Sequence, residues 1–221
     1  IVESLPADGP LVVNVSQGIV LTSVEEEHGH SHDDGHHHTY DPHIWHTYDP
    51  HIWTDPLQAK QIVQNICSAL SNLDAQNADL YQHNTQLYLA QLDALDEAFR
   101  TVVAQGRRTE MIFGSPFSLY YFIQRYGLSY EAAFDSCTGE SEPSVATLVH
   151  LIEHIKQAQI PVVYITELSD PKIAQSISEE TGAEILLFHA CHNVSREDFQ
   201  NGVSYLSLMW QNVEHLKKGL Q

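Results

Sequence analysis

Pro161-Val162-Val163-Tyr164-Ile165-Thr166-Glu167, then Ile173 to Thr181, then Glu184-Ile185-Leu186-Leu187-Phe188-His189, is the stretch whose reading decides the fold. Two short, continuously apolar runs flank a segment with the three-and-four-residue period of an amphipathic helix. A strand that is apolar at every position has both faces buried, as in a parallel sheet covered by helices. The pattern extends in both directions. Met111 to Phe113 precedes a helical Phe117 to Tyr126, Glu131 to Phe134 precedes a helical Val145 to Ala158, and Ile185 to Phe188 precedes a helical Val203 to Leu220. The alternation predicts an α/β fold with helices on both faces of a parallel sheet. Ligands in such sheets bind at the carboxyl ends of the strands, where Glu167 and His189 both fall.

Upstream lie two helical segments. Ala59, Ile62, Val63, Ile66, Ala69 and Leu70 give one amphipathic helix after Pro56. A second begins near Asp74, a candidate cap, and runs through Leu80, Leu87, Leu92, Leu95 and Phe99 to Gly106. At nearly thirty residues it is long for a globular protein and suits a spine between two lobes. The opening runs Leu11 to Val15 and Ile19 to Val24 read as strands.

The chain has 221 residues, 43% of them hydrophobic, enough to bury a core in one large or two small domains. Its formal net charge of −19 disfavours nucleic acid and anionic lipid as partners and favours cations, although a merely soluble acidic surface explains it as well. No apolar run reaches the roughly 20 residues of a membrane span. The chain opens on Ile1, which leaves a processed chain or a fragment open.

Residues 25 to 38 are of low complexity. His28, His30, His32, His36, His37 and His38 lie among Asp33, Asp34 and two glycines, as in a loop that collects metal; a cloning tag is the blander alternative. Neutral imidazole beside carboxylate suits a borderline-soft divalent ion, zinc first. His-Thr-Tyr-Asp-Pro-His-Ile-Trp then occurs twice, over residues 38–45 and 46–53. Only the second copy continues into Thr54-Asp55-Pro56, so His51 is read as the principal ligand and His43 and His46 as auxiliary donors.

Several features together resemble one family, the metal-binding receptors of bacterial zinc and manganese ABC importers, known as the cluster A-I solute-binding proteins. They are the acidic then His-rich loop, Asp49-Pro50-His51-Ile52-Trp53-Thr54-Asp55-Pro56, Asn77-Ala78 with Tyr81, and Glu140 with Glu142-Pro143-Ser144. Glu180-Thr181-Gly182-Ala183 and Tyr205-Leu206 with Leu208-Met209 and Gln211-Asn212 extend the similarity over nearly the whole chain.

The resemblance implies two α/β lobes with parallel sheets, joined by a rigid helix, and a metal ion in the cleft between them. It divides the chain into a partial N-terminal lobe (1–73), a linking helix (74–106) and a C-terminal lobe (107–221). It implies an extracytoplasmic receptor, periplasmic or lipid-anchored at the cell surface, that acts as a monomer and hands its ion to a membrane permease. The His-rich loop and the carboxylate-poor ligands favour zinc over manganese. The family's second ligand maps onto His51 and its last onto His189, with His192 three residues on and Glu167 as a further candidate.

Two departures stand out. The family's first ligand lies upstream of the position matching Ile1, so the N-terminal lobe is expected to be incomplete. Its third ligand aligns with Pro116 in Gly114-Ser115-Pro116-Phe117, where no donor stands, so of a set of about four either His192 and Glu167 substitute, or water does, or the binding is weaker than usual.

Cys137 and Cys191 follow predicted strands on one side of the sheet and are candidates for a disulfide, and Cys67 reads as a small packed hydrophobe. His150 and His154, one helical turn apart, could chelate a metal but read as the solvent edge of their helix. His83 and His215 read as ordinary polar positions. Rival functions are a zinc buffer or adhesin using the tract alone, and a zinc-dependent hydrolase; no His-Glu-x-x-His run, nucleophile elbow or phosphate loop supports the latter, and no enzymatic activity is expected.

Overall fold

The structure is a computed structural model that describes residues 9–22, 48–134 and 142–221. The sheet predicted by the alternation is present. Strands β1 (Glu110–Phe113), β2 (Ser129–Ala132), β3 (Val162–Ile165) and β4 (Glu184–Leu187) form one parallel sheet in the order β2-β1-β3-β4.

Helices α1 (Pro56–Leu73) and α2 (Ala78–Gln105) precede it, and α3 (Tyr120–Tyr126), α4 (Val145–Ala158), α5 (Lys172–Thr181), α6 (Arg196–Gln200) and α7 (Tyr205–Leu220) are interleaved with or follow the strands. One face of the sheet packs Met111, Phe113, Tyr164 and Phe188 against α2, α3 and α7; the other packs Ile112 and Val163 against α4 and α5. Each strand is four residues long, so the two faces are closed by a few large side chains. Phe99, Phe122, Tyr126 and Phe188 interlock edge to face, with Phe99 and Phe122 ring centres 4.9 Å apart.

Helix α2 is 28 residues long, as its periodicity predicted, and is anchored at one end. Leu92, Leu95 and Phe99 of its second half are fully buried in the main core, while Leu80 and Leu87 of its first half stay exposed and that half lies along α1. Burying each large apolar side chain contributes about 1.5–3 kcal/mol, so the second half is the anchored end.

Boundaries differ from expectation where side chains found other partners. Leu11 to Val15 is not a strand; Leu11, Val12 and Val13 are exposed and lie outside the sheet. Residues 19–22 likewise lack regular structure, and 23–24 fall outside the described residues. Asp74 does not cap the long helix; its carboxylate accepts from Asn77 Nδ2 and Tyr81 Oη, and these bonds hold its pKa below the ordinary value. Phe117 precedes α3 because its ring stacks on Tyr130, 3.6 Å between centres. The last predicted helix, Val203 to Leu220, is present as α7, which a reciprocal capping box between Ser204 and Ser207 starts; the short α6 before it was not expected.

Gly219 marks the closest approach of α7 to the sheet. A Cβ there would lie 1.8 Å from Tyr164 Oη, and Tyr164 is almost wholly buried. The tyrosine cannot retreat without opening the core. Gly219→Ala is therefore expected to lower stability by about 1–3 kcal/mol, an overpacking cost, read as a lower midpoint in urea unfolding; an unchanged midpoint would show that α7 shifts freely.

Candidate metal centre

The segment Asp49 to Asp55 builds itself from its own side chains. Asp49 Oδ1 accepts from the His51 backbone N–H and from His51 Nδ1, both at 2.7 Å. Thr54 Oγ1 donates to the His51 carbonyl, and residues Ile52–Thr54 wind into a short 3₁₀ turn. Asp55 then caps α1 by accepting from Leu57 N, with Pro56 at the first helical position. From α3, Tyr121 Oη donates to the Asp49 carbonyl and pins the turn to the C-terminal half of the chain.

His51 is thereby buried with a defined tautomer. Because Asp49 occupies Nδ1, the proton sits there and the Nε2 lone pair is left for a metal, the usual outer-shell arrangement of a ligating histidine. Its ring centre lies 5.4 Å from that of Trp53 and 5.4 Å from that of His192, nearly perpendicular to the latter. Trp53 tilts over His192 at 6.0 Å and donates its Nε1–H to the Ala190 carbonyl, while Tyr205 Oη donates to the Trp53 carbonyl. This hydrogen-bonded aromatic wall joins the His51 motif to the loop after β4.

That loop is shaped by Glu167, at the end of β3. Its carboxylate accepts from the backbone N–H groups of Ala190, His192 and Asn193 at 2.8, 2.7 and 3.2 Å. Cys191 has a positive φ of 56°, in the left-handed region rare for residues with a Cβ; it turns successive N–H groups toward one carboxylate. Burial, reinforced by Glu167, pushes the Cys191 pKa up to about 12, so it is a thiol and not a thiolate donor. The expected Cys137–Cys191 bridge is not seen: Cys191 is free, and Cys137 lies outside the described residues. Cys67 is half-buried and lines a groove between α1 and α2 with Val63, Ile66 and Leu70.

His189 is buried at the foot of the same loop. Asn212 of α7 exchanges two hydrogen bonds with its backbone, and Gln211 Oε1 faces its Nε2 at 3.1 Å. The proton therefore sits on Nε2, and Nδ1 is buried without a partner. An orphaned buried acceptor is costly unless something occupies it. Beside His189 lies a cavity of about 310 Å³ lined by Thr166, Glu167, Leu168, Ser195 and Asp198 among others.

The structure thus brings His51 and His192 together, with His189 on the same loop as His192 and Glu167, from the end of β3, bonded to that loop. It does not bring three donor atoms within 4.8 Å of one another at this place among the described residues. Ser115, beside the donorless Pro116, is fully buried; its Oγ accepts from Thr166 N and ties β1 to β3. The tract histidines, His43 and His46 lie outside the described residues. Sequence reasoning missed the roles of Asp49, Gln211 and Asn212, which it quoted only as motif letters. An acid two residues before a histidine was the available signal for the first; the other two reach His189 from α7 and leave none.

The model of the family described as zinc-uptake complex component A, periplasmic, matches residues 1–219. Among curated relatives, the high-affinity zinc uptake system protein ZnuA of Bacillus subtilis is 31% identical over 165 residues, 75% of this chain and 51% of that protein. Zinc-binding lipoprotein AdcA of Streptococcus pneumoniae is 29% identical over 163 residues, 74% of this chain and 32% of that protein. The chain thus spans about half or less of these relatives' lengths. Among solved structures, the metal-dependent lipoprotein YcdH of Bacillus subtilis superposes with a TM-score of 0.78 at 28% identity, covering 99% of this chain and 73% of that one. The Zn(II)-bound ZnuA-like domain of Streptococcus pneumoniae AdcA gives 0.66 at 27% identity, covering 78% of this chain and 64% of that one.

Burial, the first cause, holds the His189 pKa below the ordinary histidine value, against the opposing hydrogen bond to Gln211 and the charge of Glu167. A depressed histidine favours the folded state above its unfolded pKa of about 6.5 and loses that contribution as pH falls through it toward the lower folded value. In an NMR titration of the metal-free chain the His189 ring should titrate below the ordinary histidine value; a midpoint at or above the ordinary value would contradict the buried, neutral ring.

Proposed function

The chain belongs to the family of periplasmic zinc-uptake complex component A proteins, and we propose that it captures zinc outside the cytoplasm and delivers it to the permease of an ABC importer. The observation that carries this reading is the His51–His192 pair. Two imidazoles on one zinc, each with Zn–N of about 2.0–2.1 Å, have ring centres roughly 5–5.5 Å apart, and the observed separation is 5.4 Å. His51 Nε2 is freed by Asp49, and no hydrogen bond to a described residue engages the His192 ring.

In this reading His189 Nδ1 is the third donor, closing on the pair as the cleft tightens, and water fills the fourth position. Glu167, with both oxygens engaged by backbone N–H groups, holds the loop rather than the ion. The donors are then neutral nitrogens, which suits zinc better than the oxygen-preferring manganese. Residues 1–73 belong to an N-terminal lobe, 74–106 form the linking helix and 107–221 the C-terminal lobe. His28, His30, His32, His36, His37, His38, His43 and His46 serve as an accessory collector.

The protein works as a monomer, in the periplasm or anchored by lipid at the surface. It is a receptor and not an enzyme; Lewis-acid hydrolysis would need a base poised beside a metal-bound water, and the nearby carboxylate is committed to the loop. No helix among the described residues is long and apolar enough to cross a membrane. A buffer acting through the tract alone would show many weak, equivalent sites instead of one tight site.

Zinc competition against a chelator tests the assignment. His51→Ala should abolish the tight site, and Asp49→Ala should weaken it by about 10–100-fold through loss of the orienting hydrogen bond. Retention of full affinity by His51→Ala would sink the proposed site. Acidification should release the ion as the imidazoles protonate.

A further inference from the structure

A second group of metal-ligating side chains lies on the other face of the sheet. In the parallel register Glu110 of β1 pairs with Ser129 of β2 and Ile112 with Glu131, so Glu110 and Glu131 point to the face covered by α4 and α5. Helix α4 carries His150-Leu151-Ile152-Glu153-His154 along that edge. Leu151 and Ile155 enter the core, which fixes the rotation of the helix and sets His150 and His154 side by side above the two glutamates. His154 Nε2 lies 2.9 Å from Glu110 Oε2, and His150 Nε2 lies 3.2 Å from Glu131 Oε2. One ligand atom each from Glu110, Glu131 and His154 falls within 4.8 Å of the others.

We infer that Glu110, Glu131, His150 and His154 form a second binding site for a zinc-class divalent ion, distinct from the cleft. Two histidines one helical turn apart plus a carboxylate from another element is a recurrent zinc donor set, and the His-x-x-Glu-His spacing of α4 occurs in one class of zinc helices. Neighbouring donors around a tetrahedral zinc are roughly 3.4 Å apart when bonds are about 2.0–2.2 Å long. The His154–Glu110 contact already meets this. Glu131 must close by at most about 1.4 Å, and His150, which lies outside the 4.8 Å group, must swing further toward it; both side chains are partly exposed and can turn about their torsions.

In the metal-free chain each histidine faces a glutamate at close range, and the ion would take the place of those direct contacts. Two carboxylates would cancel its charge, so the site also suits a strongly acidic chain. Four protein donors leave no open coordination position, which marks a closed, structural site rather than a hydrolytic one. The ion would pin α4 to β1 and β2, and its failure to bind would leave the cleft reading untouched.

Amide hydrogen exchange separates this site from the cleft and the tract. In the His51→Ala chain, zinc at about ten times the site's dissociation constant should slow exchange along α4 by about tenfold. The slowing should vanish in the same chain carrying His150→Leu and His154→Leu, and also in one carrying Glu131→Gln, which keeps both histidines. Zinc-independent α4 exchange, or equal slowing in the substituted chains, would overturn the site. A zinc-edge anomalous map of the full chain with excess zinc should show a peak between His154 and Glu131, and a map without that peak would also overturn it.

Discussion

Asp96, buried on the long helix, is the constraint on which the arrangement of the molecule depends. Its carboxylate accepts from Arg100 one turn along α2, from the Arg125 guanidinium and from Tyr126 Oη of α3. Arg125 also reaches toward Asp55, the cap of α1, at 3.6 Å. One carboxylate therefore fixes α2 against α3 and, through Arg125, against the residue that ends the His51 motif. Burial alone would raise its pKa, but the bonds from Arg100, Arg125 and Tyr126 win and hold it down. Breaking such a pair strands a buried charge at a cost of about 3–5 kcal/mol, more than the pair contributes over a well-packed apolar substitute. Its role is positional: it sets where α1 begins, and with it where His51 stands.

The two halves of the cleft are then joined by few but directional contacts. Tyr121 holds the turn at Asp49, Trp53 donates to Ala190, and Tyr205 donates to Trp53. All three use an aromatic ring with a polar tip, which can pack on an apolar neighbour and still bond a backbone carbonyl. Glu167 satisfies three backbone N–H groups of the loop, so His192 is presented from a fixed main chain although its ring is exposed. On the His51 side, Asp49 does the same for a buried ring. The two candidate donors are thus set differently, one by its ring nitrogen and the other through its backbone.

The α/β class was legible because β3 is continuously apolar and β1 and β4 are apolar after their first residues, Glu110 and Glu184, the mark of strands covered on both faces. The second strand was placed two residues late, and the reason is physical. Glu131 interrupts the apolar run because it lies under His150, so the pattern pointed instead to Ala132, Ala133 and Phe134. Local sequence rules tend to fail where a polar group is buried for a purpose. The candidate ligands His51, His189 and His192 were legible from motif resemblance; their tautomers were not, since Gln211 and Asn212 come from a helix more than twenty residues away. His150 and His154 were visible as a helical pair, but the carboxylates facing them, Glu131 and Glu110, lie 19 and 44 residues off in sequence and meet them only through the sheet register.

The imidazole donors at the cleft have an electrostatic consequence. A dication bound by carboxylates is largely neutralised, whereas one bound by neutral rings keeps both of its charges. On a chain of formal charge −19, an ion held by His51, His192 and His189 would add positive charge there that the nearby carboxylates of Asp49 and Glu167 offset only in part. Its field would extend about 8–10 Å at physiological ionic strength before salt screens it. Occupied and empty forms would then differ in surface potential even if no backbone moved, and a docking partner could tell them apart by charge alone.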